Sequence, residues 1–268
     1  MTLYGTVEEV DVLSAAMVRV RFGGEGLAEF EPTVFTDQYV NALFLPSGSP
    51  FEVPFDVDVA RAGPAELRPR GRRYTVRRWD PDERTLWIDF VVHGDVGYAG
   101  RWAAHARPGD RLQMVGPSGG YAPDPGADWY LMVGDESALP AIGAALEQVP
   151  SGRPAVTIGL VDRPGDEIEL ESPGESTVIW LYRNGVADDV DVLARKVADL
   201  EFPSGQVHGF VHGEAAETRA VRRHLLTERR IPADWLSVSP YWRRDHTDEQ
   251  WREVKSAWLA DQAGDPAP

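Results

Sequence analysis

Arg72, Tyr74 and Thr75 fall within the run Arg72-Arg73-Tyr74-Thr75 and together offer a guanidinium, an aromatic face and a hydroxyl. That set suits a flavin, which needs a ring to lie against, a partner for its polar edge and a fork for its phosphate. Val76 carries the stretch toward Leu86-Trp87-Ile88-Asp89-Phe90-Val91-Val92, and Asp80-Pro81-Asp82-Glu83-Arg84 between them has the composition of a tight turn. A β-hairpin presenting the three side chains together is predicted. His93-Gly94-Asp95 then leads to Gly97-Tyr98-Ala99-Gly100-Arg101-Trp102-Ala103, a glycine-punctuated turn entering a short helical pattern. Backbone N–H groups at such a start suit a pyrophosphate. Pro108-Gly109-Asp110 turns the chain into a further strand, Arg111 to Val115, ending at Gly116-Pro117. An arginine, a tyrosine and a threonine on a strand also describe an ordinary solvated face, and it is the order and spacing of the pieces that favours the cofactor reading.

Over nearly its whole length the sequence resembles the siderophore-interacting proteins, a branch of the ferredoxin-reductase-like flavoproteins. The family's Arg-x-Tyr-Thr motif stands as Arg72-Arg73-Tyr74-Thr75, and its His-Gly-x-x-Gly-Pro-Ala-Ser-x-Trp-Ala stretch as residues 93–103, with Tyr98 and Gly100 replacing proline and serine. Gly134-Asp135-Glu136-Ser137-Ala138-Leu139-Pro140-Ala141-Ile142 matches a Gly-Asp-Glu-Thr-Ala-Leu-Pro-Ala-Ile signature, serine keeping the hydroxyl. Tyr241-Trp242-Arg243-Arg244-Asp245-His246-Thr247-Asp248-Glu249 matches Tyr-Trp-Arg-x-Gly-x-Thr-Glu-Glu, with Asp245 in place of glycine.

The resemblance implies an N-terminal antiparallel Greek-key β-barrel that binds FAD, followed by a Rossmann-like α/β domain that binds NAD(P)H. Cofactor contacts are then expected from Arg72, Tyr74, Thr75, Val92, His93, Gly97, Ala99, Gly100 and Trp102 in the first domain. In the second they are expected from Asp135, Ser137, Ala138, Gly213 and Glu214, with Ser137 near the nicotinamide and the flavin ring. Arg243, Arg244 and Lys255 are expected on the cationic side of a ferric-chelate site.

Composition narrows the classes independently. The 268 residues carry 27 basic and 43 acidic side chains, a formal charge of -16, which argues against nucleic acid or an anionic membrane as partner. There are no cysteines, so disulfides, thiolate nucleophiles, thiolate-bound zinc and four-cysteine iron-sulfur clusters are excluded. The six histidines show no metal-ligand spacing, and no metal site is expected. Met1 to Glu8 lack a basic n-region and an apolar h-region, and no apolar run reaches the length of a membrane span. A cytoplasmic protein is expected, and nothing demands more than a monomer.

Thr6 to Val12, Ala16 to Phe22 and Tyr39 to Pro46 read as strands, which with the hairpin near residue 80 and the strand from Arg111 make about six, as expected of a small closed barrel. From Ser47 to Pro69 the chain is rich in proline and glycine and runs into arginines at 61, 68, 70, 72, 73, 77 and 78. These either balance nearby acids on a solvated loop or face a polyanion such as a ferric siderophore, and Arg68 and Arg70 are the candidate substrate contacts. The expected domains are 1–122 and 129–263, with a linker at 123–128 and a disordered tail at 264–268.

Beyond Trp129, apolar runs at 129–133, 155–161, 178–182, 207–211 and 236–238 alternate with helical patterns at 139–148, 190–200, 214–228 and 248–260, the rhythm of a mostly parallel sheet. Thr247 and Gln250 form a capping box for the last helix. Glycines follow two strands, in Gly134-Asp135-Glu136-Ser137 and His212-Gly213-Glu214; each is either a plain strand-to-helix turn or the border of a dinucleotide, and Gly-x-Gly-x-x-Gly is absent. Arg183, Arg219 and Arg223 are candidate cations for a 2′-phosphate, which favours NADPH over NADH. Trp251 and Trp258, seven residues apart, share a helix face.

The expected activity is FAD-dependent transfer of electrons from NAD(P)H to Fe(III) in an anionic siderophore. The flavin carries the chemistry and no side chain acts catalytically. The alternatives are a ferric-siderophore carrier without nicotinamide turnover and a general flavin or quinone reductase. A ferredoxin is an alternative donor.

Overall fold

A computed structural model describes residues 3–92, 97–185 and 189–265. The chain divides into two compact units, Met1–Gly120 and Tyr121–Pro268.

The first unit is antiparallel. Its strands are β1 (Leu3–Ser14), β2 (Met17–Gly23), β3 (Tyr39–Phe44), β4 (Arg70–Thr75), β5 (Arg78–Asp80), β6 (Thr85–Val91) and β7 (Arg111–Ser118), with α1 (Val57–Ala62) before β4 and α2 (Ala99–His105) before β7. They form one sheet in the order β4-β3-β7-β1-β2-β6-β5. Alternation sets its faces: Val18, Val20 and Phe22 on β2 pair with Phe90, Ile88 and Leu86 on β6, and all six are buried. Burying each such side chain stabilises the unit by about 1.5–3 kcal/mol. On the other face Arg19 forks onto Asp89 at 2.6 and 2.8 Å.

The predicted hairpin is corrected. The turn at Asp80 joins β5, not the Tyr74 strand, to β6; the Asp80 carboxylate accepts from the N–H groups of Asp82 and Glu83, and Arg84 closes the turn at φ 53°. Tyr74 and Thr75 lie on β4, which pairs with β3 at the opposite edge of the sheet. The sequence misleads here because Val76 and Arg77 read as a continuing strand. In fact they carry the chain from one edge to the other: Val76 N–H bonds the Gln38 carbonyl before β3, and Arg77 N–H bonds the Trp87 carbonyl on β6. The sheet is rolled so that Tyr74 on β4 meets Phe90 on β6, ring centroids 4.5 Å apart.

The second unit has the expected alternation: β8 (Trp129–Asp135), α3 (Leu139–Leu146), β9 (Pro154–Val161), β10 (Glu175–Tyr182), α4 (Val192–Asp199), β11 (Val207–Glu214), α5 (Ala215–Thr227), β12 (Leu236–Trp242) and α6 (Asp248–Ala263). All five strands are parallel, in the order β10-β9-β8-β11-β12. Every residue of central β8 is buried, as a strand covered on both faces requires. The order reverses between β8 and β11, so the switch point lies where those two strands end, at Asp135 and Glu214. The capping box of α6 is present, with Thr247 Oγ1 accepting from Gln250 N–H and Gln250 Oε1 accepting from Thr247 N–H. Asp265, in the segment expected as tail, pairs with Arg219 on α5. No helix among the described residues is long and apolar enough to cross a membrane.

Candidate functional site

In the first unit the candidate residues gather along β4. Residues 70, 72 and 74 oppose Phe44, Ala42 and Val40 of β3, so Arg70, Arg72 and Tyr74 share the concave face, with Tyr74 deepest. The Tyr74 ring is half-buried against Phe90 and Phe44, and Trp102 on α2 packs on the same pair at 5.8 and 5.9 Å. Trp102 thus reaches the site as part of its aromatic floor, while Ala99 and Ala103 anchor α2 in the core. Thr75 alternates to the other face and is buried. Val92 closes the end of β6, its N–H bonding the Ala16 carbonyl. Gly97 has φ 79°, and a Cβ added there would meet nothing within 4 Å among the described residues; Gly100 lies in the first turn of α2. His93 lies outside the described residues.

Tyr98, ahead of α2, carries the guanidinium groups of Arg70 and Arg72 over its ring at 5.9 and 6.0 Å, the outer range of a cation–π contact. Arg70 Nη2 donates to the Ala65 carbonyl, but among the described residues its buried Nε has no partner. Arg68 turns back onto the Gly63 carbonyl at 2.9 Å, so Arg70 joins Arg72 while Arg68 does not. A half-buried aromatic floor with an unsatisfied guanidinium donor at its rim fits a flavin dinucleotide: the ring has a surface to lie on, and the phosphates have a cation.

In the second unit, Asp135 is the hub of the switch point. Its side chain is fully buried and accepts four hydrogen bonds: Oδ1 from Ser137 N–H (2.9 Å) and Ser137 Oγ (2.5 Å), Oδ2 from Glu214 N–H (2.8 Å) and Trp242 Nε1 (2.7 Å). Asp135, expected as a cofactor contact, ties the ends of three strands together. Gly213 makes room for it: with φ 140°, a Cβ there would sit 2.8 Å from the Asp135 carboxyl carbon. Glu214 is likewise engaged, capping α5 through Ala216 and Glu217 N–H and accepting from Arg244 N–H. Ala138 is buried, and Ser137 remains half-buried at the surface of the cluster.

Around the hub lie Glu136, Glu217, Arg183 and Arg244. Arg183, 13% exposed, donates to Glu136 at 2.5 Å, with Asp162 at 3.7 Å and Glu217 at 4.0 Å, and Arg244 donates to Glu217 at 2.7 Å. Burial, then the Asp135 charge, pushes both the Glu136 and Glu217 carboxyls up to about 7. Glu217 and Trp242 were not singled out from the sequence as parts of this site. Glu217 carried a signal, an acid in the first turn of a helix that follows a capping glutamate.

The cations weighed for a 2′-phosphate are mostly taken: Arg183 by Glu136, and Arg219 by Asp261 and Asp265, while Arg223 is exposed. Lys255 donates to the Pro240 carbonyl at 2.6 Å and lies over Trp251, which meets Trp258 edge-on. Lys255 and Arg244 therefore hold the C-terminal segment in place, and Arg243 is half-buried beside them in sequence. Asp245 has φ 59°, so the turn keeps the left-handed conformation that glycine serves in the family pattern. His212 is fully buried between Tyr241 Oη and Ser237 Oγ, each 2.9 Å away, and burial lowers its pKa to about 3.

A rolled antiparallel unit followed by a parallel sheet with this switch point is the ferredoxin-reductase-like fold, and the first unit is an FAD-binding domain, so the chain is a flavoprotein of that fold. More specifically, it belongs to the siderophore-interacting protein family: the family's FAD-binding domain matches residues 6–121 and the siderophore-interacting protein domain matches residues 127–245. An uncharacterized protein of Mycobacterium tuberculosis is 40% identical, with 94% of each chain covered. Ferric vibriobactin reductase of Vibrio cholerae is 37% identical over 71% of this chain and 70% of its own. The NADPH-dependent ferric-chelate reductase of Escherichia coli is 29% identical over 88% and 91%. A solved siderophore utilization protein from T. fusca superposes with a TM-score of 0.78 at 33% identity, covering 92% of this chain and 95% of that one.

Proposed function

We propose that the protein is a ferric-siderophore reductase that takes hydride from NAD(P)H and delivers electrons singly to Fe(III), releasing Fe(II) in the cytoplasm. One nicotinamide reduces two ferric ions and leaves one proton. The observation that carries the reading is the β4 face, where Tyr74 offers an aromatic floor and Arg70 and Arg72 a cationic rim within an FAD-binding domain. Flavin, when bound, connects a two-electron hydride donor with one-electron acceptors. The chain's own residues bind and orient: Tyr74 holds the ring, Thr75 packs β4 from its other face, and Arg70 and Arg72 hold the diphosphate.

At the switch point Ser137 is the nicotinamide contact. Its proton is committed to Asp135, so it presents lone pairs and accepts from the carboxamide N–H. Asp135 and Glu214 position that hydroxyl without touching the cofactor. With Arg183 and Arg219 neutralised, Arg223 is the cation left for a 2′-phosphate. In the first unit Arg68 is a side chain open to an anionic chelate, and in the second Arg243 is another, each taken by itself. Relatives that reduce ferric vibriobactin and ferric chelates support this acceptor class.

An anaerobic absorbance titration tests the proposal. NADPH or NADH should bleach the bound flavin, and a ferric siderophore should restore its colour while a ferrous trap develops. Bleaching without reoxidation by the chelate would point to a flavin reductase with another acceptor. No bleaching with either nicotinamide would point to a carrier or a ferredoxin-fed enzyme.

A further inference from the structure

Tyr98 stands out among the exposed aromatic side chains. Its side chain is 39% exposed, it precedes α2, and the guanidinium groups of Arg70 and Arg72 flank its ring at 5.9 and 6.0 Å. Among the described residues its hydroxyl has no hydrogen-bond partner, and neither it nor Arg70 has a carboxylate to answer it. An unused phenol beside an unsatisfied, buried guanidinium Nε is a pair of donors without an acceptor. The phenol is exposed and the Arg70 and Arg72 side chains are partly so, and an anion with several oxygens can accept from the phenol and from the accessible guanidinium N–H groups at once. The backbone nearby is permissive, since Gly97 is left-handed and a Cβ added there would meet nothing within 4 Å among the described residues, and Gly100, two residues after Tyr98, supplies no hydroxyl of its own.

We infer that Tyr98 is a diphosphate-binding residue of the FAD site, its phenol donating to a phosphate oxygen while its ring holds Arg70 and Arg72 alongside. The inference rests on the proposed placement of the diphosphate at the β4 rim. It makes the hydroxyl at position 98 the local replacement for one at position 100, so a serine at 100 should substitute for it.

The test is the affinity of the flavin-free protein for FAD and for riboflavin, which lacks the phosphates, read by flavin fluorescence. Tyr98→Phe should weaken FAD about tenfold, the size of one hydrogen bond to a charged group, and leave riboflavin unchanged. Adding Gly100→Ser to Tyr98→Phe should recover most of the loss. Unchanged FAD affinity in Tyr98→Phe, an equal loss for riboflavin, or no recovery with Gly100→Ser would overturn the role. Arg72→Gln separates the two levels. If it weakens FAD but not riboflavin while Tyr98→Phe does neither, the β4 placement stands and Tyr98 falls; if Arg72→Gln has no effect on FAD, the placement fails and the inference with it.

Discussion

Replacing Asp135 by asparagine separates a hub from a cofactor ligand. The carboxylate accepts two hydrogen bonds on each oxygen, and the amide keeps the shape but only one acceptor, so in either orientation two of the four donors lose the oxygen they bond. Each bond to a charged acceptor contributes about 1.5–3 kcal/mol, so two lost bonds cost about 3–6 kcal/mol. Against this, Glu136 and Glu217 are both raised in part by the Asp135 charge, and removing it returns on the order of 1–2 kcal/mol. The net expectation is a loss of about 2–4 kcal/mol, measured by urea unfolding with no nicotinamide present and followed by tryptophan fluorescence. A variant within about 0.5 kcal/mol of the parent, the range of an indifferent surface change, would refute the hub. So would a loss that emerges only when nicotinamide is added.

Other expectations follow from the same geometry. Glu217 has a folded pKa of about 7, above the ordinary carboxylate value, so its stabilising contribution is complete below about pH 4 and is lost as pH rises through 7. Glu217→Gln should flatten the fall in stability between about pH 5 and 7 seen in parallel melts; an identical slope would count against it. His212 has the opposite sign, since its folded pKa of about 3 places its contribution above about pH 6.5, to be lost as pH falls toward 3. His212→Gln should make acid unfolding shallower over that interval, as followed by circular dichroism. At Asp245 the left-handed backbone predicts that Asp245→Gly is neutral or better while Asp245→Ala costs about 1 kcal/mol, and equal melting points for the two variants would contradict the strain argument.

Much of the fold was legible because periodicity reports burial. The continuous apolar runs became β8, β9 and β11, and the Thr247–Gln250 spacing became a real capping box. The hairpin was misread because strand composition is the same whichever neighbour a strand pairs with: Tyr74 and Thr75 look alike beside β3 or beside β6. Pairing across the sheet depends on a two-residue crossing at Val76 and Arg77 that composition does not mark. At the sites, residue types were legible but occupancy was not. Asp135, Glu214, Arg244 and Lys255 carry the charges expected of ligand contacts, yet each is engaged by the protein itself. Tyr98 was visible only as a departure from a motif, because its relation to Arg70 and Arg72 exists only after β4 is laid beside α2.

The strand that bears Arg72 and Tyr74 is the last in its sheet among the described residues. Such a margin invites another chain to add itself, and proteins commonly deter this by placing charge along it. Three of the six residues of β4 are arginines. Two copies meeting edge to edge would bring those arginines together, whereas an anionic cofactor meets them favourably. The same side chains that welcome a phosphate thus discourage self-association, and protein stored without its flavin should gain protection against aggregation from simple polyanions.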